Sequence, residues 1–381
     1  MIEVLLNSLQ LENYRGFKQY RLSGLARVNL LVGKNNCGKT SILEAVQILA
    51  SQGDHRILAS IAKRRGETIM HGAEQSVLHP DISHFFHGHH FDLGDRFGIA
   101  NGDESVSLRM QVKSFFDLNE QEKPSHESLF HEIHPNYLRD ISGDALGLHA
   151  IGIERRPHQT LPTFWLVSQE GALYFEKSQP GLFSTSKIRL APIQFVSSEL
   201  LGLGSMGRMW NQLISEGREH EIIQSLNILE PDLANIHFLF DDVPHRSDGS
   251  RVLVGFQDPK RKRVPLGSFG EGMRRMLALS LSLNQAQGGI LLVDEIDTGL
   301  HYSILGDMWL LIVKAAIQYD LQVFATTHSL DCIRGLAWLC ENHPELAGEV
   351  SVQKIDRRLD EAVGLDSDEI QIAVDQNLEV R

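Results

Sequence analysis

Cysteine is scarce. Cys37, Cys332 and Cys340 are the only three in 381 residues, an odd and scattered set that excludes a disulfide framework and points to a reducing compartment. Long apolar runs are missing too: nothing reaches the roughly 18 residues of a membrane-spanning helix. The opening MIEVLLNSLQLENYR lacks the basic-then-apolar order of a secretory leader. A cytoplasmic protein with no membrane partner is the expectation. Basic charge is in the minority, with 36 Lys and Arg against 49 Asp and Glu and a net charge of -13. That balance excludes a general affinity for nucleic acid and leaves room only for a local basic patch. Repeats, low-complexity tracts and sustained heptads are absent, which argues against a long coiled-coil arm. What is present is 42% apolar and 22% charged residues, an ordinary globular profile in a chain longer than one typical domain.

Along the chain, Ile2 to Leu11, the turn-like NYRGF and Tyr20 to Leu25 suggest an N-terminal hairpin. VNLLV at 28 to 32 is a continuous apolar run of the kind shown by a strand buried on both faces. The helix SILEAVQILA follows a glycine-rich turn, with Ile42, Leu43, Val46 and Leu49 at helical spacing. Beyond it the character changes. After a helix around Ile57 to Arg65, period-2 segments such as SVSLRMQV and FWLVSQEGALYFE predict a mostly β lobe over 51–189 whose strand order the pattern does not specify. LAPIQFVSS reads as a strand returning to the core, and GRMWNQLISEGREHEIIQSLNILEP as helices ended by Pro231. RVLVGFQDPKRKRVPLG reads as a hairpin. Then MRRMLALSLSLNQA (helix), ILLVDE (strand), a helix from Ile304 to Tyr319 and the strand LQVFATTHS give the βαβ rhythm of a parallel sheet. The tail from Cys332 supplies a helix, an extended SVQKIDRR and a final helical EIQIAVDQ, enough to finish that sheet.

Gly33 to Thr40, GKNNCGKT, fits G-x-x-x-x-G-K-[ST] between a strand and a helix, the context that gives this pattern its meaning. Its glycines let the backbone of Asn35, Asn36, Cys37 and Gly38 wrap the phosphates of ATP. Lys39 reaches the β- and γ-phosphates, Thr40 holds Mg²⁺ and Ser41 continues the cradle. ILLVDE closes a buried strand with two carboxylates: Asp294 suits Mg²⁺, and Glu295 suits orienting or deprotonating the attacking water. Lys39 and Asp294 lie far apart in sequence, so a lobe must be inserted between them. His328, after the next apolar strand, is placed to hydrogen-bond the γ-phosphate. The stretch SFGEG at 268 to 272 opens a helix with unpaired N–H groups, a second seat for a phosphate.

This order of P-loop, inserted lobe, SFGEG, ILLVDEIDTGLH and ATTHS resembles the ABC-type ATPases of the RecF, structural-maintenance-of-chromosomes and overcoming-lysogenisation-defect (OLD) group. NYRGF, DTGLHYS and QVFATTHS resemble especially the small OLD-like ATPases of prokaryotes. The resemblance implies an α/β fold, an ABC-type P-loop ATPase head with a mixed β-sheet core, formed by 1–50 and 190–381, and a mostly β lobe inserted between Walker A and the signature turn. It implies ATP hydrolysis in a homodimer or higher oligomer whose heads sandwich ATP, with Ser268, Phe269, Gly270 and Gly272 closing a neighbour's γ-phosphate. Arg15 is then a phosphate or ribose contact, or a surface arginine. Asp297, in the stretch with Thr298 and His301, is an interface residue, a helix cap or both. Glu271 brings a negative charge beside the expected phosphate, and Gln194 is the candidate for the glutamine loop. The chain beyond His328 is too short for the TOPRIM nuclease domain of OLD nucleases, so a partner effector, a nuclease acting in trans in anti-phage defence, is implied.

Two features lie outside this scheme. His79, His84, His87, His89 and His90 can be read as a Zn²⁺ or Mn²⁺ site, but they interleave with Phe85, Phe86 and Phe91 and read better as a structural loop. Lys260, Arg261, Lys262 and Arg263 form a hairpin tip that is either a solvated turn or a contact to DNA phosphates. The rival functions are accordingly a DNA-repair or chromosome-associated ATPase that binds DNA directly and a metal-dependent hydrolase built on the histidines.

Overall fold

The strand Val28–Val32 is buried at every position, and its alternating side chains enter two different cores: Leu30 and Val32 face one, Leu31 the other. Such a strand must be covered on both faces, and the sequence around it provides the covers. A computed structural model describes residues 6–70, 78–114, 148–156, 163–168, 173–174, 191–199, 201–239 and 251–375. In it Val28–Val32 is a central strand of a six-stranded sheet. The order is Ile193–Val196, Ile290–Val293, Gln322–Thr326, Val28–Val32, Val350–Lys354 and Val363–Leu365. The first five run parallel, and the last is antiparallel to its neighbour, so the sheet is mixed.

One face of this sheet carries the helices Leu203–Glu216, Glu219–Leu226, Glu271–Gln285, Leu305–Gln318, Leu330–Asn342 and Ser367–Asp375, whose described apolar residues form one core with Leu291, Val293, Val323 and Ala325. The other face is covered by the helix Lys39–Ala50. That helix lies between the parallel sheet and a second, antiparallel sheet, packing against Leu31, Leu292 and Phe324 on one side and Leu9, Leu11, Phe97, Leu108 and Met110 on the other. Residues 41 to 49 are consequently all buried, and a helix enclosed in this way must be apolar around nearly its whole circumference.

Among the described residues the second sheet has seven strands, ordered Leu173–Tyr174, Thr163–Ser168, Leu148–Arg156, Ser107–Ser114, Arg96–Ala100, Ser8–Tyr14 and Phe17–Ser23. In Ser107–Ser114 the residues alternate, Leu108, Met110 and Val112 being buried and their neighbours partly exposed, as one-sided packing requires. The N-terminal hairpin turns at Arg15 and Gly16 with Tyr14 opposite Phe17. Five described strands of segment 51–189, from Arg96–Ala100 to Leu173–Tyr174, join this same sheet, Ile99 pairing opposite Leu11, so much of the middle of the chain extends the N-terminal hairpin, while Thr68–Met70 and Leu78–Pro80 pair with each other in a separate two-stranded sheet. The turn within FWLVSQEGALYFE and residues 2–5 of the first expected strand lie outside the described residues. A three-stranded sheet, Leu233–Leu239, Arg251–Phe256 and Val264–Pro265, leads into the turn before Glu271–Gln285. No helix among the described residues is long and apolar enough to cross a membrane.

Candidate nucleotide site

Parallel strands deliver their carboxyl ends to one edge of the sheet, and three adjacent strands end in polar residues there. Val28–Val32 runs into the P-loop. Gly38 caps the following helix at φ 102°, and a Cβ at that position would lie 2.4 Å from the Phe17 ring, so both conformation and space require glycine. No side chain caps this helix, which leaves its first N–H groups available to an anion. Lys34, Asn35 and Asn36 are exposed, while Cys37 and Gly38 are buried beneath them. The Lys39 ammonium folds back over the loop, donating to the carbonyls of Gly33 at 2.7 Å and Lys34 at 3.0 Å.

The first turn of that helix and the next two strands supply the oxygens. Thr40 Oγ1 donates to the Asp294 carboxylate, with 3.2 and 3.1 Å to its two oxygens, and Thr326 Oγ1 donates to the same carboxylate at 2.6 Å. A hydroxyl from the first turn of the helix Lys39–Ala50 and a carboxylate from the end of a strand are the hard oxygen donors that Mg²⁺ prefers, so Thr40 and Asp294 fit that ion. Glu295 follows in a left-handed conformation, φ 48°, its N–H donating to Thr326 Oγ1 at 2.8 Å. Its side chain is 43% exposed, and His328 Nδ1, on a ring 55% exposed, lies 3.9 Å from Glu295 Oε1. Lys39, Thr40, Asp294, Glu295 and His328 therefore share one edge of the sheet, although the chain separates them widely.

The Ser268–Gly272 turn is placed differently. A short 3-10 turn, Leu266–Phe269, runs into Gly270 at φ 84° and ψ -175°, and Gly270 begins the helix Glu271–Gln285 with no side-chain cap. Ser268 and Gly270 are exposed. Among the described residues no hydrogen bond joins this turn to the P-loop of the same chain. Its close neighbour is the loop after Ile290–Val293, the Walker B strand that leads into Asp294 and Glu295: a Cβ on Gly272 would come within 3.0 Å of the Gly299 carbonyl, and one on Gly299 within 2.8 Å of Glu271 Cγ. The Glu271 stem thus lies against Gly299. Asp297, in the same loop, accepts from Thr327 Oγ1 at 2.6 Å, and Gln194 sits half-buried on the edge strand.

Arg15 is neither on the surface nor directed at the P-loop. It is 2% exposed, and its three side-chain nitrogens face acceptors within the protein: Glu44 at 3.1 Å, Glu67 at 2.7 and 3.0 Å, Tyr14 Oη and the His84 carbonyl. Its guanidinium is committed to carboxylates. Glu44, wholly buried one turn beyond Thr40, also accepts from Arg65 at 2.7 Å, and Arg65 reaches Ser41 Oγ at 3.3 Å. Beside it the Arg64 guanidinium stacks 3.6 Å over the Phe195 ring, where burial lowers its pKa.

The sequence reading missed three residues of this edge. Thr326 was legible as a hydroxyl ending an apolar strand. Arg275, wholly buried in the helix Glu271–Gln285, was legible as a charge inside an otherwise apolar stretch. Glu44 had the same signal. The histidines serve the fold locally: His87 Nδ1 is 2.9 Å from the Arg15 carbonyl and His84 Nδ1 3.3 Å from His89 Nδ1, while Phe85 and Phe86 enter the core. Among the described residues no group of three His, Cys, Asp or Glu is arranged to hold a metal. At the basic tip Lys260, Arg261, Lys262 and Arg263 are all exposed, and Arg261 in addition pairs with Glu230 at 3.0 Å and stacks 3.4 Å over Phe256.

Comparison with known proteins gives two family matches. Residues 5–137 match the "AAA ATPase domain" and residues 212–332 match "AAA domain, putative AbiEii toxin, Type IV TA system". An "ATP/GTP phosphatase" of Helicobacter pylori is 22% identical over 350 residues, 86% of each chain. The DNA replication and repair protein RecF of Staphylococcus epidermidis is 49% identical over 51 residues, 13% of this chain and 14% of that protein. A structure of an Smc head bound to the C-winged helix domain of ScpA aligns over 95% of this chain and 98% of that one, at 12% identity and a TM-score of 0.47. The family matches and the assembled Walker residues support ATP hydrolysis as the activity of the chain.

Proposed function

We propose that the protein is a small OLD-like ABC-type ATPase of the cytoplasm that closes head to head with a second copy on ATP and, in the closed form, regulates a separate effector. The ATPase core is 1–50 with 190–381, and 51–189 is the inserted segment. The backbone from Gly33 to Ser41 wraps the phosphates, and Lys39 exchanges the Gly33 and Lys34 carbonyls for phosphate oxygens. Thr40 and Asp294 hold Mg²⁺, which when bound neutralises phosphate charge. Glu295 orients the attacking water and takes its proton, His328 donates to the γ-phosphate, and Ser268, Gly270 and Gly272 of the second copy close the site. Arg15 acts from behind, through Glu44, on the helix that carries the P-loop.

The observation that carries this reading is the convergence of Thr40, on the first turn of the P-loop helix, with Asp294, Glu295 and His328, which follow two adjacent strand ends, with the exposed Ser268–Gly272 turn standing apart from it. A matching family whose description refers to a toxin–antitoxin system supports work within a two-component assembly, and we place the effector, a nuclease in trans, in prokaryotic anti-phage defence. A second reading, direct binding of DNA, is favoured by the exposed cations Lys260, Arg261, Lys262 and Arg263. It requires DNA affinity that falls steeply with salt.

The test is complementation. Lys39→Ala and Ser268→Arg should each abolish turnover alone. A 1:1 mixture places one intact composite site in half of the dimers, and should recover about a quarter of the wild-type rate if the paired heads are symmetric. Folded subunits that recover nothing on mixing contradict closure in trans.

A further inference from the structure

The helix that follows the Ser268–Gly272 turn buries a charge. Arg275 is wholly inaccessible, and burial works against its charged form, lowering its pKa, while Asp297, Asp294, Glu295 and Glu271 favour the charge at longer range. Its hydrogen bonds go to main-chain carbonyls. Nη1 donates to Ser197 at 2.7 Å, and Nη2 donates to both Asp294 and Glu295 at 2.8 Å. Nε has no partner among the described residues. An isolated buried guanidinium is costly, and here it is spent on the two residues that end the Walker B strand and on the end of the neighbouring edge strand.

The recipient has an unusual backbone. Glu295 is left-handed, φ 48°, a conformation that a residue with a side chain keeps only when its surroundings over-determine it. Two contacts do so from opposite directions along the chain: Thr326 Oγ1 accepts from the Glu295 N–H, and Arg275 takes the carbonyls on both sides of the Glu295 Cα, those of Asp294 and of Glu295 itself. A planar guanidinium keeps its two amino groups in a fixed fork, so that Nη2 can hold the Asp294 and Glu295 carbonyls while Nη1 holds Ser197, a spacing that the single point-like ammonium of lysine does not reproduce.

We infer that Arg275 is a positioning residue for hydrolysis, which locks the left-handed turn at Glu295 and so sets the direction in which that carboxylate meets the attacking water. The inference rests on the reading of Glu295 as the water-orienting carboxylate given above.

The experiment compares Glu295→Gln, Arg275→Met, Arg275→Lys and the double variant Arg275→Met with Glu295→Gln. It reads kcat, the Kd of a fluorescent ATP analogue and the thermal midpoint. Each of Glu295→Gln and Arg275→Met should lower kcat by about 10²-fold, in the range of a lost acid–base group. Both should keep nucleotide Kd within about threefold, and the double variant should be no slower than the slower single one, because residues acting as a unit are not additive. Arg275→Lys should recover part of the loss. Losses that multiply in the double variant, or a fall in kcat matched by an equal weakening of nucleotide binding, overturn the inference. Loss in Glu295→Gln with none in Arg275→Met overturns it alone, whereas full turnover by Glu295→Gln overturns the reading beneath it as well. If Arg275→Met does not fold, Arg275→Gln, which keeps one donor group, carries the same comparison.

Discussion

The two sheets that enclose the P-loop helix are built and used differently. In the parallel sheet, Val28–Val32, Ile290–Val293 and Gln322–Thr326 are buried along their whole length. Nothing on their faces is free to meet a ligand, and chemistry is left to the residues just beyond the strand ends, as parallel sheets covered on both sides generally require. In the antiparallel sheet, strands such as Ser107–Ser114 bury one residue in two, and the Arg15 side chain at the hairpin is taken up in structure. The helix Lys39–Ala50 belongs to both. Its first turn carries Lys39 and Thr40, and Glu44, one turn later, fastens it to Arg15 of the antiparallel hairpin and to Arg65. One sheet thus presents the nucleotide residues and the other anchors the helix that completes them.

Substitutions can break this division, beginning where the effect is largest. Asp294→Ala removes the carboxylate shared by Thr40 and Thr326 and should lower Mg²⁺-dependent turnover by about 10³-fold, near 4 kcal/mol of barrier; a steady-state ATPase assay across Mg²⁺ concentrations checks it. Glu44→Ala leaves Arg15 and Arg65 without their common buried partner and should cost about 3–5 kcal/mol of stability, read by urea unfolding. The same change should weaken nucleotide binding only as far as the helix loosens. Ile99→Ala, in the antiparallel sheet, should cost about 2–5 kcal/mol by leaving a cavity, with kcat of the folded fraction unchanged. Loss of kcat there would mean that the second sheet does more than anchor. Lys262→Ala, at the exposed tip, should change stability by no more than about 0.5 kcal/mol, and a DNA-binding titration at two salt concentrations would show whether that tip has a partner.

The same contrast explains what the sequence made legible. VNLLV, ILLV and QVFAT were readable as parallel strands because burial on both faces writes itself as an unbroken apolar run, and the P-loop and DE pair were readable because they sit at the ends of such runs. SVSLRMQV announced a strand by alternation, yet alternation identifies a face and says nothing about which strand lies alongside. The pairing of Ile99 with Leu11 therefore had to come from the structure. Arg15 was misjudged for a related reason: its partner Glu67 stands 52 residues away, and no local pattern distinguishes an arginine that meets phosphate from one that meets a distant carboxylate. Arg275 and Glu44 carried a readable signal, a charge within an apolar helix, whose meaning depended on what the helix was packed against.

The most direct test of the central claim, that ATP closes two copies over Ser268–Gly272, is the solution mass of Glu295→Gln with and without ATP and Mg²⁺. This variant should bind nucleotide and stall before hydrolysis. The account predicts that ATP shifts it to a higher-order species and that adding Ser268→Arg abolishes the shift while nucleotide still binds. A mass that ATP leaves unchanged, or a shift that survives Ser268→Arg, would contradict it.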